Sequence, residues 1–200
     1  MTLQKPFSVY KTIKKVPVIG SVFAIANCYA HKGSYFSEVS VAGFSMWWKR
    51  ILKKMLYVFL FTLLLIYWSP GSSNWSPADT ILSAFPSILG FGIGAYALLF
   101  IMPREFLQFL WKMKNEKGSS IGPEMVPADM AYPLTTYAVV IIIAAVAKIF
   151  EDSYSLYVFS MWSLFYGLAM TIELISFLFN SSKMINRIRL DASEDGKEDD

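Results

Sequence analysis

Hydrophobicity along the chain divides it into long apolar stretches separated by short polar ones. Thr80 to Met102 runs 23 residues without a charge. Tyr132 to Phe150 carries one charge, Lys148, near its end, and Tyr154 to Phe179 carries only Glu173. A bilayer core about 30 Å thick is crossed by about 20 apolar residues in a helix, so each stretch predicts a spanning helix. Met55 to Trp68 is shorter, at 14 uncharged residues. It reaches spanning length when Ile51 to Lys54 join the helix and Lys53 and Lys54 extend their ammonium groups back to the headgroups. The pattern predicts an all-α membrane protein with four transmembrane helices, near residues 51–68, 80–102, 132–150 and 154–179. A cytoplasmic or interfacial segment, 1–50, precedes this 51–180 domain, and a charged tail, 181–200, follows it.

Composition points the same way. Apolar residues make up 55% of the chain and charged ones 16%, against about 45–50% and about 25% in an ordinary soluble domain. A soluble fold of this length lacks the polar surface to cover so much apolar side chain. One Cys and one His exclude a disulfide framework, a zinc ribbon and a His-rich metal cage.

Charge placement orients the spans. Nine of the 18 Lys and Arg residues precede Met55, none lies in Ser69 to Asp79, and four lie in Pro103 to Ala131. The turn after Lys148 has none, and four follow Phe179. With both termini in the cytoplasm, 17 of the 18 basic residues stay inside, as the positive-inside rule requires. Aromatic residues agree: Trp47, Trp48 and Trp111 fall at the inner boundary, and Tyr67, Trp68, Trp75, Tyr154 and Tyr157 at the outer one.

Val16 to Ala30 is apolar, but 15 residues reach only about 22 Å as a helix. Four Lys before an apolar run, with Ala24-Ile25-Ala26 behind it, resemble a signal peptide. Cleavage there would strand Lys32 to Lys54 on the wrong side of the membrane. Asn27 occupies a position that a lipoprotein site at Cys28 would give to a small residue. An interfacial or re-entrant segment fits better, with Lys11, Lys14 and Lys15 on anionic headgroups.

The second span carries Gly90, Gly92 and Gly94 in LGFGIGAY. A nucleotide loop would need a strand before it and a soluble helix after it, and neither is present. Ser83, Ser87, Gly90, Gly94 and Ala97 instead recur at helical spacing and line one face with small side chains. Such faces let backbones approach closely in lipid. The stripe serves either packing among the chain's own helices or assembly of copies. Ser160, Ser163, Gly167 and Thr171 form a similar face on the fourth span, and Ala138 and Ala145 a weaker one on the third.

Ionisable residues inside spans are costly and draw attention. Glu173 lies about six residues from the inner end of the fourth span, with Arg104 its expected partner. Lys148 is expected at the outer boundary with Glu151 or Asp152, three and four residues on. His31 is the chain's single histidine, so no hydrolytic triad can be assembled without it. The sequence calls for no cofactor and no catalysis. The acidic end, Asp191 to Asp200, reads as a solvated tail or as a dock for a basic partner.

The four-span plan, the basic lead and the Ser87–Phe100 segment SILGFGIGAYALLF resemble small membrane components of bacterial anti-phage defence systems. Retron-associated transmembrane effectors and the membrane subunit of Kiwa-type systems are the relatives in question. The resemblance implies that infection triggers loss of membrane integrity and growth arrest, or that the membrane subunit passes a signal to a cytosolic partner. The chain itself is expected to be a non-enzymatic multi-pass inner-membrane protein that forms a homo-oligomer and makes no direct contact with nucleic acid. A membrane-perturbing effector is the first expectation. The alternative is an anchor or sensor whose basic amino-terminal region, inner loop or acidic tail engages a cytosolic protein.

Overall fold

The computed structural model describes residues 13–68, 75–97, 108, 110–111 and 122–195, which form helices and turns with no strand among them. Three short helices come first: α1 (Ile19–Ala30), α2 (Phe36–Val39) and α3 (Phe44–Trp47). A π-helical turn at Trp48–Leu52 leads into α4 (Lys53–Trp68), followed by α5 (Pro77–Ala97), α6 (Met125–Ile149) and α7 (Tyr154–Asp195). Four helical stretches are long and apolar enough to cross a membrane: Phe44–Trp68, Pro77–Ala97, Met125–Ile149 and Tyr154–Lys183.

The helices outrun the apolar pattern for local reasons. The first spanning stretch starts at Phe44, because the π turn carries the helix unbroken from α3 into α4. Helix α5 starts at Pro77, ahead of Thr80. Ser76 Oγ accepts the Asp79 N–H at 3.3 Å, and Pro77 takes the first helical position, where its missing N–H costs nothing. Helix α6 starts at Met125, after the turn at Gly122–Pro123. Helix α7 runs past Phe179 to Asp195, so it takes in Asp191–Asp195, the first half of the acidic stretch expected as a solvated tail. Extending an existing helix escapes the cost of nucleating one.

Helices α5, α6 and α7 form the core. Ile81 and Phe85 of α5, Tyr137, Val140 and Ala144 of α6, and Leu164, Met170 and Leu174 of α7 are all buried there. Phe85 occupies the space that Gly167 leaves, where a Cβ would run into its ring. Its ring also stands edge-on to Tyr137 at 5.7 Å. The turn Phe150–Ser153 makes α6 and α7 an antiparallel hairpin.

Helix α4 lies at the edge, packed on α7 through Phe59 on Trp162 and Phe61 on Phe165. Tyr57, Leu60, Phe61 and Leu64 remain exposed along it. So continuous an apolar face needs a nonaqueous solvent, and lipid chains provide one. Exposed Tyr67, Trp68 and Tyr154 stand at one end of the bundle, and exposed Trp48 at the other, as interfacial aromatics do.

Helix α1 is no fifth span. At 12 residues it lies against the start of α6 and closes one end of the bundle. Lys32 and Gly33 stop it in the left-handed region, with φ of 56° and 75°, and the Gly33 N–H bonds Cys28 O at 2.9 Å. A side chain at Gly33 would also collide with the Glu124 carbonyl. That close approach brings the end of α1 against the turn that opens α6.

Candidate functional site

The α1 end of the bundle gathers four charges around one tyrosine. Tyr29, at the end of α1, is 1% exposed. Its hydroxyl donates to Glu173 Oε1 of α7 at 2.6 Å and accepts from Lys54 Nζ of α4 at 2.9 Å. Lys54 also donates to Glu173 Oε2 at 2.6 Å. Arg50, one turn earlier, donates to the Tyr29 carbonyl at 3.0 Å and to Asp129 Oδ1 of α6 at 2.7 Å. The Arg50 guanidinium lies 4.1 Å from the centroid of the Tyr29 ring, and the Tyr132 ring stacks on it at 4.2 Å. Those two groups therefore cover its opposite faces. Tyr132 in turn shares a 2.7 Å hydrogen bond with Tyr166 of α7.

Two cations meet two carboxylates, so the cluster is neutral as a set, which is how charge persists out of water. Burial, and next the bond to Glu173, push the Tyr29 phenol far above its ordinary range. It stays protonated and serves as a fixed relay between Lys54 and Glu173.

Asn27 holds the rest of the cap. Fully buried, its Nδ2 donates to Ser37 O at 3.0 Å and Ser40 O at 2.9 Å, and its Oδ1 accepts the Ala42 N–H at 2.8 Å. One side chain thus pins the 36–42 segment beneath α1. His31 Nε2 is buried without a partner, and burial lowers the pKa of the ring.

Glu173 is thus partnered by Lys54 and Tyr29. Arg104, the partner that hydropathy suggested, lies outside the described residues. Lysine 54 wins its place by register: the π turn and α4 bring Arg50 and Lys54 onto one side, facing α6 and α7. Lys148 lies at the opposite end, 2.6 Å from Glu151 and 3.1 Å from Asp79. Asp129 and Lys148 are 19 residues apart on α6, about 28 Å of helix rise. That separation matches the hydrocarbon thickness of a bilayer.

The stripe Ser83, Ser87, Gly90, Gly94 and Ala97 faces away from the bundle, exposed along its length. A Cβ at Gly90 or Gly94 would meet nothing within 4 Å. Among the described residues, none packs on this stripe. Gly92, between them, is the glycine that packs, against Leu134. On α7, Ser160, Ser163 and Gly167 do pack inward. On α6 the buried alanines are Ala128, Ala144 and Ala147, while Ala138 is half-buried and Ala145 exposed.

Sequence reasoning missed Tyr29, Asn27 and Asp129 and read Arg50 and Lys54 only as inner-side basic charge. The available signal was matching depth: a basic pair four apart at the start of one span, and acids near the corresponding ends of two others. Beside the network, α1, α4, α6 and α7 enclose an apolar cleft of about 300 Å³, lined by Trp47, Met55, Val139 and Trp162 among others. Among the described residues no three His, Cys, Asp or Glu side chains cluster as metal ligands. Neither protein-family models nor curated proteins nor solved structures provide a match to this chain.

Proposed function

We propose that the protein is a non-enzymatic membrane anchor or sensor of a bacterial anti-phage defence system, seated in the inner membrane with both termini cytoplasmic. Its copies assemble as a homo-oligomer, and the α1 end presents a surface to a cytosolic protein. The carrying observation is the Tyr29 network, which ties the α1 cap to α4, α6 and α7 at once. A cap held by three spanning helices moves when they move, so a change in the bilayer or in subunit packing reaches the cytosolic side. The helical extension of α7 to Asp195 offers a second contact on that side. Orientation rests on the 17 of 18 basic residues that it keeps inside.

The membrane-perturbing effector is the second reading, and the outward stripe on α5 favours it. Assembly through that stripe would bring copies together as pores require. The exposed positions of α4 and α5 nevertheless carry apolar and small side chains, with little to line a water-filled path.

One experiment separates the two. The full chain is expressed with its gene neighbours and challenged with phage, while a voltage-sensitive dye reports membrane potential. Retained potential, together with co-purification of a neighbour's cytosolic product that Tyr29→Leu abolishes, supports the anchor. Collapse of potential caused by this chain alone overturns it in favour of the effector.

A further inference from the structure

The end of the bundle away from α1 holds a second cavity, a polar one of about 290 Å³, between the start of α5, the end of α6 and the start of α7. We infer that it binds the headgroup of a zwitterionic phospholipid bearing a primary amine, of the phosphatidylethanolamine type. This goes beyond the proposed function and requires only that the four apolar helices lie in a bilayer.

Charge at the rim sets the ligand's character. Asp79 and Glu151 share one cation, Lys148, which leaves one negative charge in excess among these three residues. Both carboxylates are more than half exposed, so oxygen atoms remain free to accept from a second ammonium group. Trp75 and Tyr157 line the same cavity and give that cation aromatic company. Lys148, held between the two acids, is placed to meet the phosphate that follows the amine in such a headgroup.

Depth supplies an independent sign. Ser160 lines the cavity floor, is 1% exposed, and its hydroxyl has no hydrogen-bond partner. Buried hydroxyls are rarely left unpaired. Ser160 sits six residues inside the start of α7, about 9 Å below the rim. A lipid whose amine and phosphate occupy the rim carries its ester carbonyls below them, where this hydroxyl can donate. The cavity lies about one hydrocarbon thickness from the Tyr29 network, at headgroup level. Its volume, at the low end for small-ligand sites, suits a headgroup and not a whole lipid.

The test is native mass spectrometry of the full chain released from detergent. Phosphatidylethanolamine and phosphatidylglycerol are supplied in equal amounts, with soluble phosphoethanolamine as competitor. The wild type should retain the amine lipid at least tenfold over the glycerol lipid. Asp79→Asn with Glu151→Gln should remove that preference without altering retention of phosphatidylglycerol. Ser160→Ala should weaken retention several-fold, and it keeps the proposal testable should the double variant misfold. Equal retention of both lipids, or an unchanged preference in the variants, would overturn the site. Displacement by an equal concentration of soluble phosphoethanolamine would instead assign the cavity to a free headgroup compound and overturn the lipid.

Discussion

Lys54 and Glu173 stand 119 residues apart in the chain and meet across α4 and α7, with Lys54 Nζ 2.6 Å from Glu173 Oε2. The Tyr29 hydroxyl bonds to both, which makes α1 a third party to an ion pair between spanning helices. Losing one charge strands the other in a place where water is scarce. Losing both leaves two uncharged side chains and no debt of that kind.

Glu173→Gln and Lys54→Met, made singly, should each destabilise the protein by about 1–3 kcal/mol. Side chains about one-third exposed hold the effect toward the lower figure. The double variant should cost less than the sum, with a coupling of about 0.5–3 kcal/mol. Unfolding in a detergent titration reads all three. Additive losses would show that the pair contributes nothing as a pair.

Tyr29 separates hydrogen bonding from ring contact. Tyr29→Phe removes the relay hydroxyl and keeps the stack on Tyr132, for a loss of about 1–2 kcal/mol. Tyr29→Leu also removes the aromatic sandwich and leaves a poorly filled core site, for about 2–4 kcal/mol. Melting temperatures of the two variants give the order. Leu equal to Phe would mean that the ring contacts do not matter.

Asn27 should act locally. Asn27→Ala abolishes the bonds to Ser37, Ser40 and Ala42 and leaves buried backbone groups unpaired, at about 1–3 kcal/mol each where water cannot reach them. Amide exchange across 36–43 should rise strongly while α6 and α7 stay protected. Unchanged protection in 36–43 would refute the pin.

The glycines should divide by location. Gly167→Val drives a side chain into Phe85 and should lower thermal stability through overpacking by about 1–3 kcal/mol. At Gly90 and Gly94 an added Cβ meets no atom within 4 Å, so Gly90→Ile and Gly94→Ile should leave the fold of one chain intact. If copies assemble through this face, the same two variants shift the particle to a smaller size in size-exclusion with light scattering. Unchanged size would remove the stripe as an interface.

His31 should make the cap acid-sensitive. Burial lowers its folded pKa below the ordinary value of about 6.5, so the unfolded chain binds the proton more readily. The stability due to the neutral ring is present above about pH 6.5 and is lost as pH falls through the folded pKa. Melting between pH 7.5 and pH 5 should drop less for His31→Phe than for the wild type. An identical slope would clear His31 of any role.

Four apolar stretches were enough to read four helices long and apolar enough to cross a membrane, because a bilayer imposes a minimum length on any helix that crosses it. The short reach of Val16–Ala30 likewise excludes a fifth span. The Lys148–Glu151 contact was legible because both residues share one local stretch. Start signals at Ser76–Pro77 were present in the text but hidden behind a hydropathy criterion that sees only apolar length.

Tertiary structure alone decided the partners across helices. Arg50 could have faced any helix, and nothing in the chain marks Asp129 as its acceptor or Tyr29 as the ring beneath it. Which way the α5 stripe turns was equally open, since periodicity defines a face and says nothing of its direction. Phe85 on Gly167 and Gly92 on Leu134 set that rotation by steric fit, and fit between residues 82 and 42 positions apart exists only once they pack.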